Sequence, residues 1–250
     1  METGLKGKVV LITGGARDVG REISLAFARE GAVVAVNYNS SAEEAEGVVA
    51  AVKSAGSDAR AYQADVADNA SVQRMVAAVM KDFGRIDVLV NNAGYTKRQR
   101  FVDTKPEDWK RQIDVGLYGP IHTAHAVLPH MIKQNGGRIL VFAGDSSRIG
   151  ENGLAITAAA RAGAIALAKS LAREVGRANI TVNAISLGLV ETPHDKDFLD
   201  ENRDKLVRLY PMRRLGQTAD VAPTVVFLAS EHASWITGQV ISVNGGFAMV

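Results

Sequence analysis

Residues 9–20 read VVLITGGARDVG, a short apolar run that ends in a glycine-rich turn and leads directly into a helical pattern. The glycines at Gly14, Gly15 and Gly20 permit a tight turn and let the backbone approach a phosphate closely. The N-terminus of the following helix then offers free amides and a partial positive charge. A glycine turn between a strand and an amphipathic helix predicts a dinucleotide site at the carboxyl end of the first strand.

Further apolar runs rich in β-branched residues recur along the chain, and most are followed by a helical pattern. Because they lack polar alternation, they are typical of strands covered on both faces of a parallel sheet. Two of the helical patterns stop at Gly31 and Gly84, which suit helix C-termini. The predicted strands are 9–13, 32–37, 59–63, 86–91, 138–143, 180–185 and 240–243. We predict one α/β domain over residues 1–250, a Rossmann-like doubly wound parallel sheet of about seven strands with helices on both faces.

The composition excludes several classes of protein. The 250 residues are 47% hydrophobic and 22% charged, and a net charge of +2 gives no sign of a nucleic-acid or membrane partner. Without cysteine, the chain forms no disulfide and has no thiolate nucleophile, as expected in the cytoplasm. The polar N-terminus is unlike a signal peptide, and the longest apolar stretch, 162–168, is too short for a membrane span. We predict no metal site, since only His122 and His125 form a loose histidine pair, which we interpret as core or interface residues.

Two segments go beyond a minimal fold of this kind. Residues 158–171 are apolar nearly all the way round a helix, which indicates that the helix is covered on two sides. A crowded core and a subunit interface both explain this pattern, and we favour the interface. Residues 190–216 form a long charged connection that includes His194 and Asp195. We interpret it as a possible substrate lid, with a solvated surface helix as the alternative.

The end of the second strand favours NADP(H) over NAD(H). An NAD site usually carries an acid about 20 residues after the glycine turn, where it binds the ribose 2′-hydroxyl. Residues 37–41 read NYNSS with no acid, and Arg17 lies in the glycine turn. An arginine with amide and hydroxyl donors suits a 2′-phosphate. The alternative interpretation of residues 37–41 is the N-cap region of the next helix.

Motifs at several strand ends resemble those of one family. They are the turn 13–20, Asp65-Val66, NNAG at 91–94, the segment 188–192, PMRRLG at 211–216 and the stretch 237–246. Along nearly its whole length the chain resembles the short-chain dehydrogenase/reductases, in particular the 3-oxoacyl-carrier-protein reductases. The resemblance implies an oxidoreductase acting on a carbonyl or alcohol, assembled as a homotetramer or homodimer.

One departure from the family lies inside the cofactor motif, where Asp18 replaces a glycine. A carboxylate is a good helix N-cap, but here it would face a diphosphate of like charge, so we expect weakened affinity. The residues predicted to bind the cofactor are Gly14, Arg17, Asp18, Val19, Gly20, Asn37, Tyr38, Asn39, Ser40, Asp65, Val66, Asn92, Ala93, Gly94, Arg161, Gly188, Val190 and Thr192.

The resemblance also implies a catalytic tetrad of tyrosine, lysine, serine and asparagine, and all four positions are changed. Alignment on the neighbouring motifs assigns Thr157 to the tyrosine, Arg161 to the lysine, Gly144 to the serine and Gly116 to the asparagine. A threonine hydroxyl is a far weaker acid than a phenol, whose reference pKa is about 10. Arginine keeps the positive charge and can hold ribose hydroxyls, but it does not shuttle a proton. We predict that the usual mechanism is absent.

Polar residues near the same sheet edge are candidate substitutes. Asp145 is a candidate acid if burial raises its pKa, and Ser146 a candidate ligand of the substrate oxygen. The alternative for these two residues is an Asx-type turn, with Arg148 in a surface ion pair, and we favour that alternative. Tyr95, just after the NNAG motif, is a candidate proton donor facing the cleft.

Three functions remain open at this point. The first is an NADP(H)-dependent reductase with a non-standard mechanism, because orienting a hydride donor and acceptor supplies much of the rate enhancement by itself. The second is a catalytically inactive, dinucleotide-binding pseudoenzyme or regulatory subunit. The third is a non-redox lyase or isomerase that uses the same cleft. The intact cofactor motifs favour the first two, and the fold alone does not choose between them.

Overall fold

The computed structural model describes residues 2–193 and 196–250, apart from the side chains of residues 196–198. His194 and Asp195 of the predicted lid therefore lie outside the described residues. The strands are β1 (Val9–Thr13), β2 (Val33–Tyr38), β3 (Ala59–Gln63), β4 (Val88–Asn91), β5 (Gly137–Gly144), β6 (Ile180–Leu187) and β7 (Val240–Val243). They form one parallel sheet in the order β3-β2-β1-β4-β5-β6-β7. The direction of winding changes between β1 and β4, the position where open α/β sheets bind ligands.

Helices connect the strands and cover both faces of the sheet. They are α1 (Asp18–Arg29), α2 (Ala42–Ser54), α3 (Asn69–Phe83), α4 (Pro106–Ile113), α5 (Gly119–Gln134), α6 (Ser146–Ile149), α7 (Ala155–Val175), α8 (Lys196–Arg208) and α9 (Thr218–Ala229). A π-helical turn, Asp114–Tyr118, joins α4 to α5. The predicted doubly wound α/β fold is confirmed.

Each face of the sheet has its own apolar layer, which explains why the strands lack polar alternation. Successive side chains of a strand point to opposite faces. Val10 and Ile12 of β1 pack among residues of α1, α2 and α9. Val9 and Leu11 pack on the other face among residues of α3, α5 and α7. All four side chains are almost completely buried.

Glycines end two of the helices that lead back to the sheet. α1 ends at Arg29, and Gly31 follows with φ of +74°. α3 ends at Phe83, and its C-cap Gly84 also has φ of +74°. This left-handed conformation costs glycine nothing and lets the chain turn back toward the sheet. Both predicted helix ends are confirmed.

α7 contains the residues that are apolar nearly all round, and its own chain covers mainly one side of it. Ala164 and Ala168 are buried in the apolar layer on the sheet, whereas Ala159 and Ala166 are exposed. The crowded-core explanation is therefore wrong for the single chain, and the subunit interface remains a prediction. By length and composition alone the segment Ala155–Ala178 could cross a membrane, and 33% of its apolar window is buried. Core helices of soluble proteins meet the same criterion.

The predicted lid segment contains α8 and a small apolar cluster of its own. Leu199, Tyr210 and Leu215 are buried together in this cluster. The segment is also tied down at both ends by a parallel bridge between Val190 and Gly216. It is thus a folded unit packed at the carboxyl edge of the sheet, and its role as a lid stays a prediction.

Removing a core aromatic ring from α1 tests the packing of the first layer. Phe27 is fully buried, so Phe27→Ala should lower the free energy of unfolding by about 3–5 kcal/mol. Phe101, which is 57% exposed and stacks on Trp109, gives the matched control Phe101→Ala, which should cost less than about 1 kcal/mol. Urea unfolding followed by circular dichroism measures both. Equal losses in the two variants would contradict the assigned core.

Candidate cofactor and active site

The turn after β1 brings two backbone segments closer than a side chain permits. Gly14 has φ of +61°, in the left-handed region that favours glycine. A Cβ added at Gly20 would lie 2.1 Å from the carbonyl oxygen of Gly14. Real Cβ atoms do not approach an oxygen so closely, so only glycine permits this contact. The turn therefore delivers the N-terminus of α1 directly to the carboxyl edge of the sheet.

Asp18 begins α1 and does not cap it, so the expected N-cap role is wrong. The N-cap position is Arg17, whose side chain makes no capping hydrogen bond to the helix. Asp18 has φ of +50°, a conformation that costs most residues about 1 kcal/mol or more but that aspartate tolerates better than most. An aspartate thus occupies a backbone conformation suited to the glycine that the family carries. Without a side-chain cap, the first amides of α1 remain suited to an anionic ligand.

Asn37 holds the glycine turn to the neighbouring strands. Its Oδ1 accepts a hydrogen bond from the amide of Gly14 at 3.2 Å. Its Nδ2 donates to the carbonyl oxygens of Tyr62 and Ala64 at 3.2 and 3.0 Å. The side chain is almost completely buried, and both ends of its amide are used inside the protein. We expect Asn37 to shape the cleft, while Asn39 and Ser40 present the exposed donors and Tyr38 is half-buried against the core.

Asn92 holds the same turn from the other side. Its Nδ2 donates to the carbonyl oxygens of Thr13 and Gly14 at 3.1 and 3.0 Å. The hydroxyl of Thr13 accepts hydrogen bonds from the amides of Asn92 and Ala93 at 3.0 and 3.1 Å. The ends of β1 and β4 are therefore cross-linked at the position where the winding changes direction.

A cleft of about 650 Å³ follows this edge of the sheet and collects most of the predicted cofactor residues. Tyr95 lies on its wall and is 44% exposed. Gly188 and Val190 instead line a neighbouring cavity of about 450 Å³, next to Tyr210. The predicted residues that line the cleft are Gly14, Arg17, Asp18, Val19, Gly20, Asn37, Tyr38, Asn39, Ser40, Asp65, Val66, Asn92, Ala93, Gly94, Arg161 and Thr192.

Arg111 also lines the cleft, although no motif in the sequence predicts it. Its Nη1 donates to Asp65 Oδ2 at 2.8 Å, while Asp65 Oδ1 accepts from the amide of Ala67 at 3.0 Å. Burial by itself would raise the pKa of Asp65, but these hydrogen bonds and the charge of Arg111 outweigh it and lower that pKa. The carboxylate stays ionised and partnered at this end of the cleft.

Two of the positions assigned to the catalytic tetrad are engaged in packing. Thr157 is buried, and its hydroxyl donates to Gln112 Oε1 at 2.5 Å. Gly116 lies in the π-helical turn, where a Cβ would sit 3.2 Å from Ala160 Cβ. The threonine hydroxyl is thus committed to a glutamine, and a side chain at position 116 would press on α7.

Asp145 is a structural residue, and its predicted role as an acid in the cleft is wrong. Its Oδ1 accepts a hydrogen bond from Ser186 Oγ and its Oδ2 one from Asn244 Nδ2, both at 2.7 Å. The carboxylate is buried and accepts a hydrogen bond on each of its oxygens. It ties the end of β5 to β6 and to the segment after β7. Arg148 donates to Ser242 Oγ at 2.6 Å and to the main-chain oxygen of Val250.

Ser146 and Arg161 flank the space that Gly144 leaves open. A Cβ at Gly144 would lie 3.5 Å from Ser146 Oγ and 3.7 Å from Arg161 Nη1. A Cβ at Gly94 would lie 2.6 Å from Arg161 Nη2. The guanidinium therefore extends between the ends of β4 and β5, beside the hydroxyl of Ser146. Hydrogen-bond donors thus remain at the position assigned to the serine of the tetrad.

The histidine pair is not arranged as a metal site. His122 Nδ1 lies 3.0 Å from the carbonyl oxygen of Val66, and its ring stacks on Tyr118. Among residues 2–193 and 196–250, no cluster of three or more histidine or acidic side chains is arranged to hold a metal ion.

Sequence comparisons match nearly the whole chain. Residues 14–248 match a family model described as enoyl-(acyl carrier protein) reductase. A 3-oxoacyl-[acyl-carrier-protein] reductase, FabG, of Staphylococcus aureus is 42% identical over 242 residues, covering 97% of this chain and 98% of the relative. The protein of the same name from Thermotoga maritima is 38% identical over 251 residues, covering 98% of this chain and 99% of the relative.

Solved structures share the same architecture. A double mutant of a Serratia marcescens short-chain dehydrogenase/reductase superposes with a TM-score of 0.93 at 35% identity, covering 98% of this chain and 99% of that one. The crystal structure of gox2181 superposes with a TM-score of 0.94 at 31% identity, covering 97% and 96% of the two chains.

Replacing two different glycines by alanine should change the free energy of unfolding in opposite directions if the turn geometry is correct. Gly20→Ala drives a Cβ into the backbone of Gly14 and should lower the free energy of unfolding by about 2 kcal/mol or more. Gly47 is exposed in α2 with no atom within 4 Å of an added Cβ, so Gly47→Ala should raise it by about 0.5–1 kcal/mol. Urea unfolding measures both variants, and a neutral Gly20→Ala would disprove the close approach.

Proposed function

Because the chain belongs to the short-chain dehydrogenase/reductase family, we propose that it is an NADP(H)-dependent oxidoreductase acting on a carbonyl or alcohol by a non-standard mechanism. One observation carries this proposal. The predicted cofactor residues, from the glycine turn to Thr192, line one cleft. The positions assigned to the tetrad, in contrast, hold Gly116, Gly144, Thr157 and Arg161.

The residues along the cleft fit a dinucleotide. The Gly14–Gly20 approach and the uncapped start of α1 suit a diphosphate. Arg17, Asn39 and Ser40 supply a charge and polar donors for a 2′-phosphate. Residues 65–66 would border the adenine, and residues 92–94 with Arg161 and Thr192 would border the nicotinamide end. When bound, the dinucleotide supplies hydride chemistry, which no side chain of this protein provides.

The chain's own part in the reaction is to hold the carbonyl oxygen and to protonate it. Ser146 and Arg161 present donors to the space beside Gly144, which supports Ser146 as a ligand of that oxygen and Arg161 as the neighbouring cation. Tyr95, on the cleft wall, is the candidate proton donor, with water as the alternative source. Asp145 has no place in this scheme because both of its oxygens already accept hydrogen bonds.

A catalytically inactive dinucleotide-binding protein is the second candidate function. It is favoured by the buried contact of Thr157 with Gln112, which leaves that hydroxyl no proton to give to a substrate. Under either function we propose a cytoplasmic homo-oligomer, a dimer or tetramer, in which the exposed side of α7 contributes to the interface.

Cofactor preference tests the proposed role of Arg17. Wild-type protein should bind NADPH more tightly than NADH. Arg17→Gln should weaken NADPH binding roughly 10- to 100-fold, the loss of a charge-assisted hydrogen bond, and leave NADH nearly unchanged. Arg21→Gln, an exposed arginine on the same helix, should change neither. Fluorescence titration measures all six affinities, and failure of both cofactors to bind to the wild type would overturn the proposed function.

Turnover separates the reductase from the inactive protein. If the proposal is correct, oxidation of NADPH with some member of a carbonyl panel is detectable, and Tyr95→Phe lowers kcat by about 10²-fold. Thr157→Val should leave kcat unchanged, although losing the contact with Gln112 should cost about 1–3 kcal/mol of stability. NADPH binding without turnover on any carbonyl would favour the inactive protein.

A further inference from the structure

Arg161 places a half-buried guanidinium on the wall of the cleft. The side chain leaves α7 and extends between the ends of β4 and β5, where two glycines, Gly94 and Gly144, put no side chain in its way. A Cβ at Gly94 would come within 2.6 Å of Nη2, so the guanidinium rests directly on the backbone there. Its position depends on the absence of side chains at both strand ends.

This guanidinium has no anionic partner within the described part of the chain. Neighbouring cations around the rim do have one: Lys97 bonds Asp108, and Arg111 bonds Asp65. Burial lowers the pKa of Arg161, and no carboxylate contributes to raise it again. A desolvated charge without a partner is costly to a folded protein. An arginine held in this way is suited to an anion that arrives with a ligand.

A second donor converges on the space beside Gly144. Ser146 Oγ and Arg161 Nη1 lie 3.5 and 3.7 Å from one point, the position of an added Cβ at Gly144. Two donors that address the same small space fit a ligand with two neighbouring oxygen acceptors, at least one of them charged. A carbonyl next to a carboxylate has this arrangement, and a guanidinium fork binds carboxylates in two-point contact.

We propose that the cleft takes a 2-oxo carboxylate, or in the reverse direction a 2-hydroxy carboxylate, with the carboxylate held by Arg161 and the carbonyl oxygen by Ser146. This inference rests on the proposed oxidoreductase function. In the forward direction NADPH is oxidised to NADP⁺, a hydride adds to carbon 2, and the oxygen on that carbon takes up one proton. The product is the 2-hydroxy carboxylate, and the carboxylate group is unchanged.

Pyruvate and its uncharged ester, methyl pyruvate, test whether turnover depends on the carboxylate of the substrate. Wild-type protein should show a kcat/KM at least 100-fold higher for pyruvate. Arg161→Gln should bring the ratio close to one, and Arg161→Lys should restore part of it by restoring the charge. Arg100→Gln, an exposed arginine paired with Asp103, should leave the ratio unchanged. Equal use of acid and ester by the wild type, or an unchanged ratio in Arg161→Gln, would overturn the assignment.

Oxamate, an unreactive analogue of pyruvate, makes the test independent of turnover. Calorimetry should detect oxamate binding to the wild type, with and without NADPH. In Arg161→Gln the affinity for oxamate should fall at least 30-fold, while cooperative thermal unfolding shows that this variant is folded. Arg161→Lys provides the readout if the glutamine variant does not fold. If NADPH fails to bind but oxamate binds through Arg161, the result contradicts the oxidoreductase function and supports the carboxylate site. If NADPH binds and millimolar oxamate does not, the result contradicts only the carboxylate site.

Discussion

The contact between the backbone of Gly14 and the first turn of α1 is the constraint on which the rest of the cleft depends. It exists only because position 20 carries no Cβ, and it is held from two sides by the side-chain amides of Asn37 and Asn92. Through these two residues the ends of β2, β3 and β4 are tied to the end of β1. The amide network thus fixes the floor of the cleft.

Sequence patterns predicted the elements well, because both faces of each strand carry apolar residues and glycines mark the helix ends. Strands β1, β3 and β7 have the predicted bounds, and β4 begins two residues after the predicted start of 86. Side-chain roles were harder to predict, since they depend on partners distant in the sequence. Asp145 is an acceptor for Asn244, a residue 99 positions away, and no local pattern encodes that pairing. Asn37 likewise turns inward to reach the carbonyl of Ala64.

The positions that we assign to the tetrad leave open space beside a fixed charge. Two of the assigned tetrad positions hold glycine. At a third, the buried hydroxyl of Thr157 donates its hydrogen bond to Gln112. What remains at the end of β5 is the guanidinium of Arg161 and the hydroxyl of Ser146. Such a site favours binding and orientation over proton transfer, because a guanidinium holds its protons and a serine hydroxyl is a weak acid.

The π-helical turn bears on how such a protein can change over evolutionary time. Gly116 in that turn faces Ala160, the residue directly before Arg161 in α7, at 3.2 Å from an added Cβ. An asparagine introduced at 116 would therefore push on the helix that carries the arginine. A larger residue at 116 is accommodated only if α7 moves by a few tenths of an ångström, which would also shift the guanidinium. Packing between two small residues thus restricts which side chains this position can acquire without disturbing the cleft.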